Sequence, residues 1–357
     1  MDLFKLTSTF YPGPTITKFD TLIWRERFRE AGDFVIQSTN DLSALEALPL
    51  GSFISHSDTG EAMIVENHEI VRQKDKTLKI TISGRSAEVL AEDRSVLGTN
   101  IQLINAISNQ QNETVLTGTP EDIAALLLRR GLQRYFTLYL DDWIPNLAVR
   151  QEIVTMDSSR EISIQRGDVY SAVIPLLATA AAGLKIVRPS GAQTTLDIVV
   201  HDGINRSSTV SFYAQQEDLV DATYFWSIKG YKNTATVNTK SSWRVVQDRA
   251  IVPTLTGLDR RVMYVAAADI EGTFPSPTTT DVLASRGQLA LDERRKLQIL
   301  SATISETARP KFKLNYDVGD LVTVLGEFST SSVMRVTEHI TTVDAKGVRG
   351  YPSLSTV

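Results

Sequence analysis

Glu61-Ala62-Met63-Ile64-Val65-Glu66-Asn67-His68-Glu69-Ile70-Val71 is followed by Gln73-Lys74-Asp75-Lys76 and then by Thr77-Leu78-Lys79-Ile80-Thr81-Ile82. The last run alternates cleanly, with Leu78, Ile80 and Ile82 on one side and Lys79 and Thr81 on the other, as a half-buried strand requires. The charged tetrapeptide between the two runs reads as a hairpin tip. Upstream, Leu42, Leu45 and Leu48 mark a short helix capped by Asn40 or Asp41 and stopped by Pro49 and Gly51, after which Phe53-Ile54-Ser55-His56 is a strand. Downstream, Gly84 precedes a helix expected to reach Arg94. A hairpin edged by a helix is a scaffold with no chemistry of its own, so the passage points to an assembled structural protein.

Working toward the N-terminus, Pro12-Gly13-Pro14 forces a turn and Phe19 to Phe28 reads as a strand. Leu22, Trp24, Glu26 and Phe28 share one parity, which sends Trp24 and Phe28 inward and leaves Arg25 and Arg27 facing out. Gly32-Asp33 makes a turn into Phe34-Val35-Ile36. The whole front is a small β-barrel or curled sheet.

Toward the C-terminus, a helical zone is expected at 101–107. A second helix at 120–130 has Thr119 as its cap, Pro120 in the first turn, and Gly131 as its stop. Arg134 to Leu140 and Asn146 to Ile153 look extended, and a third helix spans 168–182 up to Gly183. Strands then recur through Asp248. Asp281 to Glu306 reads as one long helix that Gly287 can interrupt. The close of the chain is β again, with Gly319-Asp320 turning into Leu321-Val322-Thr323-Val324.

The fold class is therefore mixed β and α/β, with two small β-barrel-like domains and intervening α/β domains. The expected division is a barrel-like domain at 1–95, an α/β domain at 96–190 and a β-rich domain at 191–268. A loop and long helix follow at 269–308, and a barrel-like segment closes the chain at 309–357. A chain of 357 residues exceeds what one core usually serves. The two β regions can be related barrels, although no period proves a repeat.

Composition excludes several function classes. The formal charge of −5 has no dense Lys/Arg run to neutralise phosphates, which disfavours stable nucleic-acid binding. The absence of cysteine removes disulfides, thiolate nucleophiles and Cys-ligated zinc together. The N-terminus lacks the pattern of a secretion signal. The most apolar run, Val169 to Val187, is interrupted by Ser171, Pro175, Thr179 and Lys185, so a buried helix is expected and no stable membrane insertion.

Candidate sites are few. His56, His68, His201 and His339 are far apart and show no ligand spacing, so no metal and no cofactor is expected. Asp141-Asp142 and Glu217-Asp218 are adjacent pairs whose side chains diverge on a strand, and read as solvated turns. No catalytic residue is assigned. Tyr224-Phe225-Trp226 sits in an apparent strand, where the three rings cannot all enter one core, so either one face meets another subunit or both faces are covered within the chain. Arg260-Arg261 and the Arg294-Arg295 pair within Asp292-Glu293-Arg294-Arg295-Lys296 are surface charges that can contact a neighbour. The candidate subunit-interface set is thus Tyr224, Phe225, Trp226, Arg260, Arg261, Arg294 and Arg295. Two other readings remain open: a carbohydrate- or receptor-binding module with a cleft lined by Trp143, Trp226 or Trp243, and a cell-wall hydrolase with two convergent carboxylates.

Taken in order, Trp24 through Gly32-Asp33-Phe34, Pro49-Leu50-Gly51 before Phe53-Ile54, Gly84 with its following helix, and Tyr316-Asp317-Val318-Gly319-Asp320-Leu321-Val322 give the chain a resemblance. It is similar to the siphophage ReqiPepy6 Gp37-like tail protein family and to the baseplate-hub fold of long-tailed phages. The resemblance spans most of the chain, though each motif is short. It implies a virion protein without enzymatic activity, a homotrimer at the distal end of the tail, in which each copy gives two barrel-like domains to an approximately sixfold ring. The implied neighbours are the distal tail protein, the tail tube and tape-measure protein, and tip fibre or spike proteins. Phage DNA would pass through without specific binding. The resemblance also implies that many relatives carry long C-terminal extensions with hydrolase or receptor-binding modules; this sequence ends soon after the last barrel-like segment, so any such activity is expected to come from other polypeptides.

Overall fold

The computed structural model describes residues 1–94, 96, 113–133, 144–154, 159–165, 167–191, 193–239, 243–248, 251, 254–267, 277–292, 294, 297–305, 308–326 and 331–356. The opening segment supplies β1 Leu3–Leu6, β2 Pro12–Ile16, β3 Thr21–Arg27 and β4 Asp33–Thr39, then α1 Ser43–Ala47, β5 Phe53–His56, β6 Met63–Arg72 and β7 Leu78–Ser86. A 3-10 turn, Ala87–Ala91, stands where a helix to Arg94 was expected. The helix at 101–107 and the strand at 134–140 lie outside the described residues.

The middle of the chain gives β8 Glu113–Gly118, α2 Pro120–Leu132, β9 Leu147–Glu152, β10 Arg160–Gln165, α3 Val169–Thr179, β11 Gly183–Val187, β12 Leu196–His201 and β13 Ser211–Tyr213. After β14 Leu219–Ser227 come β15 Thr234–Asn238, β16 Trp243–Gln247, β17 Val262–Ala266, α4 Pro277–Asp292 and β18 Leu297–Ile304. The chain closes with β19 Leu321–Leu325, β20 Ser331–Asp344 and β21 Gly347–Thr356. Residues 1–221 with 302–357 form one compact unit and residues 222–301 a second.

In the larger unit, eleven strands make one sheet in the order β13-β19-β20-β3-β4-β7-β6-β5-β1-β2, with β21 on β20. The opening and closing β regions, expected as two barrel-like units, are joined through the antiparallel β3–β20 ladder, where Trp24 faces Thr341 and Glu26 faces His339. No sheet of the described residues closes into a barrel. Alternation sets the core: Leu22, Trp24, Phe34, Ile36, Ile80 and Ile82 are buried from β3, β4 and β7. A Cβ on Gly84 would lie 1.7 Å from the Ile64 carbonyl oxygen, beside the register shift between Val65 and Asn67, so the β6–β7 hairpin closes only around a glycine.

The α/β part packs α2 and α3 over β11-β12-β9, in which β12 runs parallel to β9. Thr119 caps α2, its Oγ1 accepting from the Asp122 N–H at 3.2 Å, and Asp168 caps α3, accepting from Ser171 N–H at 2.6 Å. The helix continues past Gly131 to Leu132 instead of stopping there. Gly131 lies against α3, where an added Cβ would sit 3.0 Å from Val169 Cγ2. The third helix ends at Thr179, short of the expected Ala182, because Ala181 turns to φ 54°. No helix of the described residues is long and apolar enough to cross a membrane.

In the smaller unit, α4 lies on the sheet β16-β15-β17. The long helix expected from Asp281 to Glu306 is corrected: α4 ends at Asp292, and Leu297–Ile304 is a strand paired with β14. The β-branched Ile299, Thr303 and Ile304 favour that outcome. Gly287 does not break α4. It lets the helix settle on the sheet, since a Cβ there would lie 2.8 Å from Val246 and 2.9 Å from Val237.

Candidate functional site

Glu26 follows Leu22 and Trp24 on the inward parity of β3, so the alternation that builds the core also buries a carboxylate. Burial of an unpaired charge would be prohibitive, and the structure supplies a partner from the far end of the chain. Lys313, in the turn between Phe312 and Tyr316, has φ 61° and reaches inward. Its Nζ lies 2.8 Å from Glu26 Oε2 and 2.8 Å from Asp317 Oδ1. Burial alone would lower the Lys313 pKa, but the two carboxylates outweigh it and hold it above the usual lysine value. The same ammonium depresses Asp317 against the opposing effect of burial.

Above this triad lies a cleft of about 280 Å³, lined among others by His56, Lys313, Tyr316, His339, Arg349 and Gly350. It thus joins the end of β5, the 311–317 turn and the β20–β21 hairpin. His56 accepts a 3.2 Å hydrogen bond at Nδ1 from the Asp58 N–H and meets Trp24 edge-on at 4.9 Å between ring centroids. His339 packs edge-on against Phe312, and a Cβ on Gly350 would lie 2.7 Å from its Cε1. Burial pushes His56 down to about 3 and His339 to about 4. His201, packed on Phe28, is likewise pushed down by burial to about 3. Histidines held neutral so far below pH 7 are poor proton carriers. They serve here as polar packing.

Other charges brace the strands. Arg27 bridges Asp33 at 2.6 Å and Glu338 at 2.9 Å, linking β3, β4 and β20, and Arg25 joins Asp33 at 2.5 Å. Asp320, deeply buried, accepts from Ile204 N–H, Arg206 Nε and Asp317 N–H at 2.8, 2.7 and 2.9 Å, which fixes the Gly319-Asp320 turn before β19. Beneath the 3-10 turn, burial raises Glu61 well above a normal carboxyl, with Glu88 and Glu26 adding to it, and burial pushes Glu88 up to about 7.

The expected interface residues all belong to the smaller unit. Phe225 and Trp226 are 49% and 55% exposed on successive positions of β14. The Tyr224 side chain and Arg295 lie outside the described residues. Arg260 is exposed, and Arg261 is held by its N–H to Asn233 Oδ1 at 2.7 Å. Arg294 is exposed, and its carbonyl accepts from Lys232 N–H at 2.9 Å. Trp243 and Tyr264, the second absent from the expected set, are 64% and 77% exposed on β16 and β17. Of the Trp set considered for a sugar cleft, Trp143 is outside the described residues, and Trp226 and Trp243 lie in different sheets.

Glu217 occupies a left-handed turn at φ 59°, whereas Asp218 is buried and accepts from Tyr213 N–H at 3.0 Å, so only the first is the solvated residue expected. Asp141-Asp142 lies outside the described residues. Among the described residues no three His, Asp or Glu side chains gather as a metal site. The convergence of His56 and His339 was not readable from their spacing. Glu26 on an apolar parity was the one available sign that a cation had to arrive.

This multi-sheet β fold with inserted α/β layers is the fold of phage tail proteins. It is similar to the 43 kDa tail protein of prophage MuSo2 from Shewanella oneidensis, with a TM-score of 0.62, 14% identity, and 99% of this chain and 96% of that chain covered. A tail protein from Neisseria meningitidis MC58 gives 0.59 with 14% identity over the same shares, 99% and 96%. Prophage tail protein gp18 of Listeria monocytogenes EGD-e gives 0.54 with 10% identity, covering 99% and 94%. No curated protein matches the chain. The model of the Siphovirus ReqiPepy6 Gp37-like protein family matches residues 13–352, and the chain belongs to that family. Those solved structures are of tail proteins, two of them from prophages, and the likeness shows a shared fold.

Proposed function

We propose that this protein is a non-enzymatic hub at the distal end of a long phage tail, where three copies form a ring. The family match over residues 13–352 carries the reading. In it, the opening and closing β regions act as two barrel-like arcs per copy, so that three copies present six similar arcs to a sixfold tail tube and a threefold face to a fibre or spike. The distal tail protein and the tube with its tape measure are the neighbours on one side. DNA leaves through the central channel without being specifically held.

Two features of the chain support assembly without random aggregation. Two of the strands that end the large sheet offer little to another chain, β2, whose Pro12 and Pro14 cannot donate, and β13, which has only three residues. Exposed aromatic rings instead cluster in residues 222–301. The cleft over Lys313 fits a structural part, because its cation is already paired with two carboxylates and its histidines are neutral.

The test is native mass spectrometry of the purified chain together with a density map of the tail end. A trimer in solution and a ring of three copies around an open channel are expected. A monomer in both settings, or a place on the side of the tail, would sink the proposal.

A further inference from the structure

Among the described residues of the smaller unit, the sheet β16-β15-β17 is packed on one side, by α4. On that side Ala235, Val237, Val246, Met263 and Val265 pack with Leu283 and Leu291. The opposite face follows from the registers. Trp243 pairs with Asn238, which pairs with Ala266, and the next row is Val245, Thr236 and Tyr264. Both rows lie on the parity turned away from the core. They carry no charged side chain, and Trp243 and Tyr264 are the largest exposed rings on them. Arg260 and Arg261 stand just before β17, at one margin of the face.

Charge is divided unevenly between the two units. Residues 222–301 contain eleven Lys and Arg against seven Asp and Glu, a formal +4, which leaves −9 for the rest of a chain whose total is −5. A basic unit with an apolar, aromatic face and an acidic unit in the same chain are complementary between copies. Joined head to tail, such surfaces close into a ring.

We infer that the open face of β16-β15-β17, centred on Trp243 and Tyr264 and flanked by Arg260 and Arg261, is a self-interface that seats on the acidic larger unit of a second copy. The inference rests on the trimer reading above and deepens it by naming the surface. Aromatic anchors at the centre exclude water and hold the contact, and the arginines steer it. Another tail protein, nucleic acid or the same face of a second copy are competing occupants.

The experiment uses the full chain with a photo-crosslinking phenylalanine analogue in place of Tyr264, alongside Trp243→Ala and the pair Arg260→Glu/Arg261→Glu. Irradiation should give a covalent dimer whose linked peptide lies in residues 1–221 or 302–357. Trp243→Ala should raise the concentration needed for trimer formation about tenfold or more with unchanged circular dichroism, since its ring is already in water in the monomer. The charge reversal should weaken assembly and flatten its salt dependence. A crosslink within one chain, between two copies of residues 222–301, or to another molecule overturns the inference, as does normal trimer formation by both variants. In those cases the trimer reading survives. A wild-type chain that never associates defeats both.

Discussion

Glu26 and Lys313 are separated by most of the chain and meet at 2.8 Å, with Glu26 buried and Lys313 partly exposed. Replacing Lys313 by Met removes the cation and strands two carboxylates, one of them deep in the core. The cost of breaking a buried pair is about 3–5 kcal/mol, and partial exposure of Lys313 places this case near 3 kcal/mol. Urea denaturation of Lys313→Met should show that loss, and Lys313→Met with Glu26→Gln should recover a large part of it. No recovery would mean that Glu26 is satisfied by other groups. The carboxyl of Glu88 offers a second test. Its folded pKa, pushed up to about 7 mainly by burial, exceeds the ordinary value of 4.5. Its contribution is therefore complete below about 4.5 and is lost as pH rises from about 4.5 to about 7, at up to about 1.4 kcal/mol per pH unit within that window. Glu88→Gln should flatten stability between about pH 4.5 and 7, as read by urea denaturation across that range, and an unchanged slope there would refute the assignment. The buried histidines have the opposite sign. With folded values of about 3, 3 and 4 for His56, His201 and His339, their contribution is present above 6.5 and is lost as pH falls toward 4.

At the scale of elements, glycines divide into those that permit a turn and those that permit contact. Gly84→Ala places a Cβ against the Ile64 carbonyl and must push β7 from β6, costing about 3 kcal/mol or more. Gly51, at φ 78° with open space around it, should cost only about 1 kcal/mol on the same substitution, because backbone strain alone opposes it. Comparing their urea midpoints at constant slope checks the distinction; equal losses would refute it. The long helix expected at 281–306 fails for a related reason. Helical periodicity in Leu283, Leu289 and Leu291 was extended through Leu297 and Leu300, yet the second pair belongs to a β-branched run that a strand partner, β14, captures.

Over the whole molecule, the two units differ in how much core they own. The larger has extensive buried clusters, from Trp24 and Phe34 in the sheet to the α2–α3 layer, whereas the core of residues 222–301 rests on Ala235, Val237, Ala267, Leu283 and Leu291. Opening free energy follows buried apolar contact, so amides of β15 should exchange with solvent faster than those of β4 and β7 in the isolated chain. Assembly through the Trp243 face should slow β15–β17 selectively. Hydrogen exchange below and above the association concentration reads both effects; uniform protection throughout would contradict them.

The amino-acid order alone determined the hairpin at 61–82, the inward turn of Trp24 and Phe28, the cap at Thr119 and the turn at Gly319-Asp320, because alternation and capping are satisfied by neighbours within a few residues. It also carried the family resemblance, since Gly84 and the Tyr316 to Val322 run are short-range requirements. Only the tertiary structure decided that β3 pairs with β20, that Lys313 answers Glu26, that His56 and His339 share a cleft, and that Tyr264 stands beside Trp243's sheet neighbours with both rings exposed. Those pairings join residues tens to hundreds of positions apart. Local preference is silent there, and the choice is made by which surfaces bury apolar area and neutralise charge at the same time.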